Sequence, residues 1–225
     1  MRVCLIGPAD IEFHYEKLLG IEEEDIDKHL DDIAMILAQT KQELVLLPER
    51  GAPYAIATRY KELGGPKVIG AVPKSDKDFG IKHLEEFING ECPEGSGKKI
   101  VDEIIDTKDW YKQDVVMSLF ADTILFLGSE FGSIGELAYG YYLYKLFTGA
   151  KPGVNTKKNF IHPGIIAGER IPFNTIVYKP FMKDKLPFEI EQYIEKLGCK
   201  VFYVNTPQEL AKVLVDLGKE ISVKK

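Results

Sequence analysis

The stretch ADTILFLGSEFGSIGELAYGYYLYK, from Ala121 to Lys145, carries the residue types and spacing best suited to chemistry. An apolar run, Ala121 to Leu127, stops at Gly128, and from Ser133 the spacing of Leu137, Tyr141 and Tyr144 predicts a helix. Strand, glycine loop and helix start in that order make a ligand seat in α/β sheets. The loop lies at the carboxyl end of the strand, and the helix start offers free N–H groups at a positive dipole end. Glu136 is the pointed side chain here, in the first turn and facing back toward the loop. A carboxylate so placed can stabilise a cationic transition state or attack it. Ser133 and Glu136 also spell a capping box, which stabilises a helix start by about 1 kcal/mol, and the two roles are compatible. Gly132, Gly135 and Gly140 argue for more than capping, because a glycine inside a helix costs roughly 1 kcal/mol relative to alanine and needs a reason such as close backbone approach.

The order Asp122, apolar strand, Gly132-Ser133-Ile134-Gly135-Glu136 resembles the P-G-G-x-G-T-x-x-E signature of the lysine decarboxylase-like proteins, whose characterised members are cytokinin-activating nucleoside monophosphate phosphoribohydrolases. Gly132, Ser133 and Glu136 fall on its G, T and E. The run GELAYGYYLYK is similar to the G-T-x-x-E-x-G-x-A run of nucleoside deoxyribosyltransferases, of the same broad Rossmann-like superfamily. The resemblance implies a nucleotide ligand, a catalytic Glu136 and a homodimer. Two departures are visible. Gly128, Ser129 and Glu130 stand where the family has Pro-Gly-Gly, and its Arg-Lys pair falls on Gln113 and Asp114, with Lys112 one step earlier.

Two further loops should reach the same edge of the sheet. Gly7 and Pro8 follow the apolar run Arg2 to Ile6, and Arg50 and Gly51 follow Glu43 to Leu47. Only four of the 29 basic residues are Arg, so few bidentate phosphate clamps exist, and Arg50 is the one placed in the loop after the second strand. The expected phosphate-binding set is Gly7, Pro8, Arg50, Gly51, Lys112, Gly128, Ser129, Gly132 and Ser133.

Elements that position these residues follow from periodicity. Apolar runs at Arg2–Ile6, Glu43–Leu47, Lys67–Val72, Ile100–Ile105, Ile124–Leu127, Thr175–Phe181 and Lys200–Val204 read as strands. Helical patterns at 24–40, 80–88, 110–120 and 187–197, one opened by the box Thr206–Glu209 and ending before Gly218, and one carrying Ile56, Tyr60 and Leu63, alternate with them. The fold class is therefore α/β: one doubly wound, mainly parallel, Rossmann-like domain over 1–225. Glu12 to Ile21, with His14, is long for a connector and is a candidate lid, and 149–174, with His162 and Arg170, is a long irregular loop of functional or interface kind.

A net charge of −6 disfavours nucleic-acid binding, which depends on clustered basic residues. No apolar run approaches the ~18 residues of a membrane span, and MRVCLIGPAD is too short in apolar residues for a signal peptide, so the expected location is the cytoplasm. Cys4, Cys92 and Cys199 are widely spaced, which suits core packing and neither a metal nor a disulfide framework. No cofactor is expected, since G-x-G-x-x-G is absent after the first strand. The leading expectation is a protein that binds a nucleotide or its derivative and cleaves or transfers at the N-glycosidic bond; the alternative is a non-enzymatic carrier or sensor. Tyr139, Tyr141, Tyr142, Tyr144 and Phe147 exceed one buried helix stripe, which adds to the expectation of a homodimer.

Overall fold

The structure is a computed structural model that describes residues 1–78, 81–110, 113, 117–148 and 173–224, with the backbone alone for 146–148 and 223–224. Its elements are β1 (Arg2–Ile6), α1 (Glu23–Gln39), β2 (Glu43–Leu46), α2 (Ala52–Glu62), β3 (Lys67–Val72), α3 (Glu85–Ile88) and β4 (Glu103–Asp106). There follow β5 (Thr123–Phe126), α4 (Phe131–Thr148), β6 (Asn174–Tyr178), α5 (Phe188–Lys196), β7 (Val201–Val204) and α6 (Pro207–Lys224). All pairings are parallel, in the order β4-β3-β2-β1-β5-β6-β7. The chain winds outward from β1 to β4, then returns to the other side of β1 with β5. That reversal puts a crevice between the loops leaving β1 and β5.

Alternation within strands makes three layers, the expected α/β Rossmann-like sandwich. Val3, Leu5, Leu44, Leu46, Ile176 and Tyr178 pack on one face with α1, α2 and α6. Cys4, Ile6, Val45, Ile124, Phe126 and Val177 pack on the other with α4 and Ile194 of α5. Burial on both faces explains why the strands read as unbroken apolar runs. In α1, Ile26, Leu30, Ile33, Ala34 and Leu37 form the buried stripe while Glu23, Glu24 and Asp25 complement its positive end.

Several boundaries differ from expectation. The helix predicted over 110–120 is described only at Trp110, Gln113 and 117–120, and its last turn, Met117–Phe120, is a 3-10 turn. The last helix runs through Gly218 to Lys224, where the Ser222 hydroxyl donates to the Gly218 carbonyl. The Thr206 box forms in a shifted way: Glu209 N–H donates to Thr206 Oγ1 at 3.2 Å, but the Glu209 carboxylate accepts from Asn205 N–H at 2.7 Å, one residue further back. The candidate lid Glu12–Ile21 is anchored. Its Glu12–Leu18 part is a π-helix, a geometry often found at functional sites. Tyr15 is fully buried there, donates to the Leu127 carbonyl at 2.7 Å and stacks on Phe181 at 4.0 Å.

Tyr15→Phe keeps the stack and removes the buried hydroxyl, so it should lower unfolding free energy by about 1–2 kcal/mol in urea titrations. A change below a few tenths of a kcal/mol would show that the hydroxyl does not hold this segment.

Candidate ligand-binding site

The loops at the reversal are stitched together by backbone and side chain. Leu127 N–H donates to the Ile6 carbonyl at 2.8 Å, extending the β1–β5 ladder one step into the loops. Gly128 has φ +155, and a Cβ there would lie 2.8 Å from His14 Nε2, so glycine lets the π-helix close on the β5 loop. Glu130 reaches across: its Oε2 accepts the Ala9 N–H at 3.0 Å, tying the two loops over the crevice. Asp10 accepts from Phe13 N–H at 2.9 Å and starts the π-helical segment.

The β2 loop docks from the other side. Gly51, the N-cap of α2, has φ +125, and a Cβ there would sit 2.4 Å from the Pro8 carbonyl oxygen. Ala52 N–H donates to that same carbonyl at 3.0 Å, and Pro53 brings no N–H to the helix start. These contacts leave a cleft of about 60 Å³ lined by residues that include Gly7, Ala9, Glu49, Arg50, Met117 and Glu136. Three separate segments thus bring together Gly7, Arg50 and Glu136. Arg50 is exposed and, among the described residues, in no ion pair. Glu136 is half-buried, and its charge helps burial push the Cys4 thiol beneath it well above its usual range. Burial lowers the His14 pKa against the opposing pull of Glu130, and raises that of Tyr15, keeping its hydroxyl a donor.

Other candidate residues are distributed around this cleft. Ser133 does not cap α4. The helix begins at Phe131, with the Glu130 carbonyl accepting from Ile134 N–H at 2.9 Å, so Ser133 lies in the first turn. Its hydroxyl is buried without a hydrogen-bond partner among the described residues. The expected capping by Ser133 is therefore absent, since the helix has already begun two residues before it. Ser129 donates to Met182 Sδ at 3.4 Å, toward the segment after β6. Gly132 and Gly135 have open space where a Cβ would go, whereas Gly140 is explained by packing, its Cβ position lying 2.4 Å from Ser118 Oγ. Lys112, Tyr111, His162 and Arg170 lie outside the described residues, as does most of the 149–174 segment. Asp122, first in the resemblance, sits at the opposite edge of the sheet and accepts from Arg2 N–H at 2.8 Å, joining β1 to β5 at their starts.

The sequence reading missed Glu130 as the tie between loops and Tyr15 as an anchor; neither carries a local signal, because their partners lie 121 and 112 residues away. Among the described residues no group of three or more His, Cys, Asp or Glu is placed to hold a metal ion, and no helix is long and apolar enough to cross a membrane. A second groove of about 450 Å³ lies between α4 and α5, with Tyr142, Tyr193, Lys145 and Lys196 around an apolar floor that includes Ile190 and Ile194.

The fold and the reversal-point cleft define a Rossmann-like α/β protein. No protein-family model and no curated protein sequence matches the chain. Among solved structures, it is similar to the molybdenum cofactor carrier protein of Chlamydomonas reinhardtii at 14% identity and a TM-score of 0.53, covering 96% of both chains. It is similar to the molybdenum cofactor binding protein of the phototrophic bacterium Rippkaea orientalis at 13% identity and TM-score 0.53, again over 96% of each chain. A third likeness, TM1055, a structural-genomics target, gives 13% identity and TM-score 0.57 over 96% of this chain and 98% of that one. At such identities the likeness is one of fold.

Gly51→Ala should destabilise the protein by about 2–4 kcal/mol, because it combines a positive φ with a collision against backbone. Gly132→Ala, with open space at its Cβ, should leave stability within about 1 kcal/mol. Equal melting temperatures for the two variants would refute the tight docking of the β2 loop on Pro8.

Proposed function

We propose that the chain binds a nucleotide or nucleotide derivative at the carboxyl edge of the sheet. The observation that carries this reading is the convergence of Gly7, Arg50 and Glu136 on one cleft at the reversal of the winding. In this reading Arg50 pairs with a phosphate, the buried Ser133 hydroxyl, without a hydrogen-bond partner among the described residues, marks polar demand at the start of α4, and Gly128, Ser129, Gly132 and Gly51 shape the loops. Lys112 remains a proposed phosphate contact on sequence grounds. Glu136, one of two carboxylates lining the cleft with Glu49, is the one proposed to act. Beside an N-glycosidic bond it would stabilise the cationic ribosyl centre or add to it.

A second reading, a carrier that holds its ligand without cleaving it, is favoured by the names of two similar structures, which bind or carry the molybdenum cofactor. A hydrolysis assay across a panel of nucleoside monophosphates separates the readings. Glu136→Gln should cut any turnover by at least about 100-fold, the scale of a catalytic carboxylate, while changing affinity little. Unchanged turnover in the variant removes Glu136 from the mechanism; binding without turnover in the wild type selects the carrier reading.

We also propose a homodimer through the outer face of α4. Tyr141 and Tyr144 are buried within the chain, but Tyr139 and Tyr142 are 55% and 54% exposed and meet edge-on, and Tyr193 across the groove is 66% exposed. Exposed tyrosines grouped this way match the composition of interface centres. Light scattering should give twice the 25.4 kDa chain mass, and Tyr142→Glu should return it to the monomer value. A wild-type monomer at micromolar concentration would exclude the interface.

A further inference from the structure

The loops that could cradle an anion at this edge are largely closed from within. Pro8 and Pro53 have no N–H to give. Ala52 N–H is spent on the Pro8 carbonyl at 3.0 Å. Ala9, which lines the cleft, gives its N–H to Glu130 at 3.0 Å. The last of these is unlike the others, because its acceptor is a full negative charge held beside the cleft rather than a neutral carbonyl. An anionic ligand group approaching Ala9 would have to displace that carboxylate or sit against it, and like charges at such separations repel strongly in a partly buried setting. Glu49 and Glu136 line the same cleft, with Arg50 the one cationic side chain among its lining residues. Among the described residues the cleft is therefore short of positive charge on the β1 side and supplied with it at the β2 loop.

We propose that Glu130 is a specificity-determining residue: it occupies the anion seat of the loop after β1, so the site takes a phosphate away from that loop, toward Arg50, and rejects a second anionic group there, such as the diphosphate of a nucleoside diphosphate or dinucleotide. This assignment deepens the nucleotide reading and rests on it for the ligand class, while the seat itself is a property of the loops. Glu130→Ala frees the Ala9 N–H and removes the charge. Glu130→Gln keeps an acceptor for Ala9 but removes the charge, so it should show a smaller gain.

Calorimetry on the full chain with adenosine, AMP and ADP, for wild type and both variants, tests the selectivity. Glu130→Ala should bind ADP about tenfold more tightly than wild type does, with adenosine unchanged. Melting in millimolar inorganic phosphate tests the seat without any nucleotide: phosphate should raise the melting temperature of Glu130→Ala and leave that of wild type where it was. If Glu130→Ala does not melt cooperatively, Glu130→Gln carries the same two comparisons. Equal changes for ADP and adenosine, or an equal phosphate effect on wild type and variant, overturn the assignment. A phosphate effect confined to the variant, with no nucleoside or nucleotide bound by any form, leaves the seat standing and overturns the nucleotide reading.

Discussion

The cleft at the carboxyl edge depends on the pairing of β1 with β5. Val3 to Ile6 run in register with Thr123 to Phe126, joining strands that are more than a hundred residues apart in sequence, and the ladder ends in loops that point the same way. Because β2, β3 and β4 lie on one side of β1 and β6 and β7 on the other of β5, the two loops diverge to opposite faces and leave a crevice. The pairing is fixed at its start by side chain as well as backbone: Asp122 accepts the Arg2 N–H and donates its own N–H to the Arg2 carbonyl.

The two edges of the sheet are treated differently. At the amino edge, side chains satisfy strand ends and neighbouring strands. Asn174 Oδ1 accepts Lys200 N–H, Thr123 donates to the Asn174 carbonyl, and Asp102 accepts both Val68 N–H and the Lys61 ammonium. At the carboxyl edge the bonds join loop to loop, as with Glu130 to Ala9 and Tyr15 to Leu127, and they surround a cleft instead of filling it. The buried hydroxyl of Ser133 and the carboxylate of Glu136 are both within the first two turns of α4, where the helix dipole favours an anion.

Much of this was legible in the sequence because burial leaves a local signature. The strand Lys67–Val72 was read to the residue, since a strand covered on both faces must be apolar nearly throughout, and the helix read over 24–40 lies within a residue of α1 at each end. The convergence of Gly7, Arg50 and Glu136 was also accessible, through the rule that loops after parallel strands share an edge. What failed was whatever depends on a distant partner. The Ser133–Glu136 spacing spelled a capping box, yet the helix starts two residues earlier, at Phe131, beside a Glu130 whose carboxylate is held by Ala9, and no local pattern reports that contact. Glu12–Ile21 read as a long connector and candidate lid because the stack of Tyr15 on Phe181 that anchors it spans most of the chain. Gly140, one of three glycines read together, turned out to make room for Ser118.

The central claim is that a nucleotide derivative sits in the cleft where the winding reverses. Backbone amide NMR of the labelled chain, titrated with the ligand that binds best from a nucleoside and nucleotide panel, tests it most directly. The account predicts shift changes concentrated in three separate segments, 7–10, 49–52 and 128–136, with the α4–α5 groove unaffected. Changes centred on Tyr142 and Tyr193, or none with any member of the panel, would contradict it.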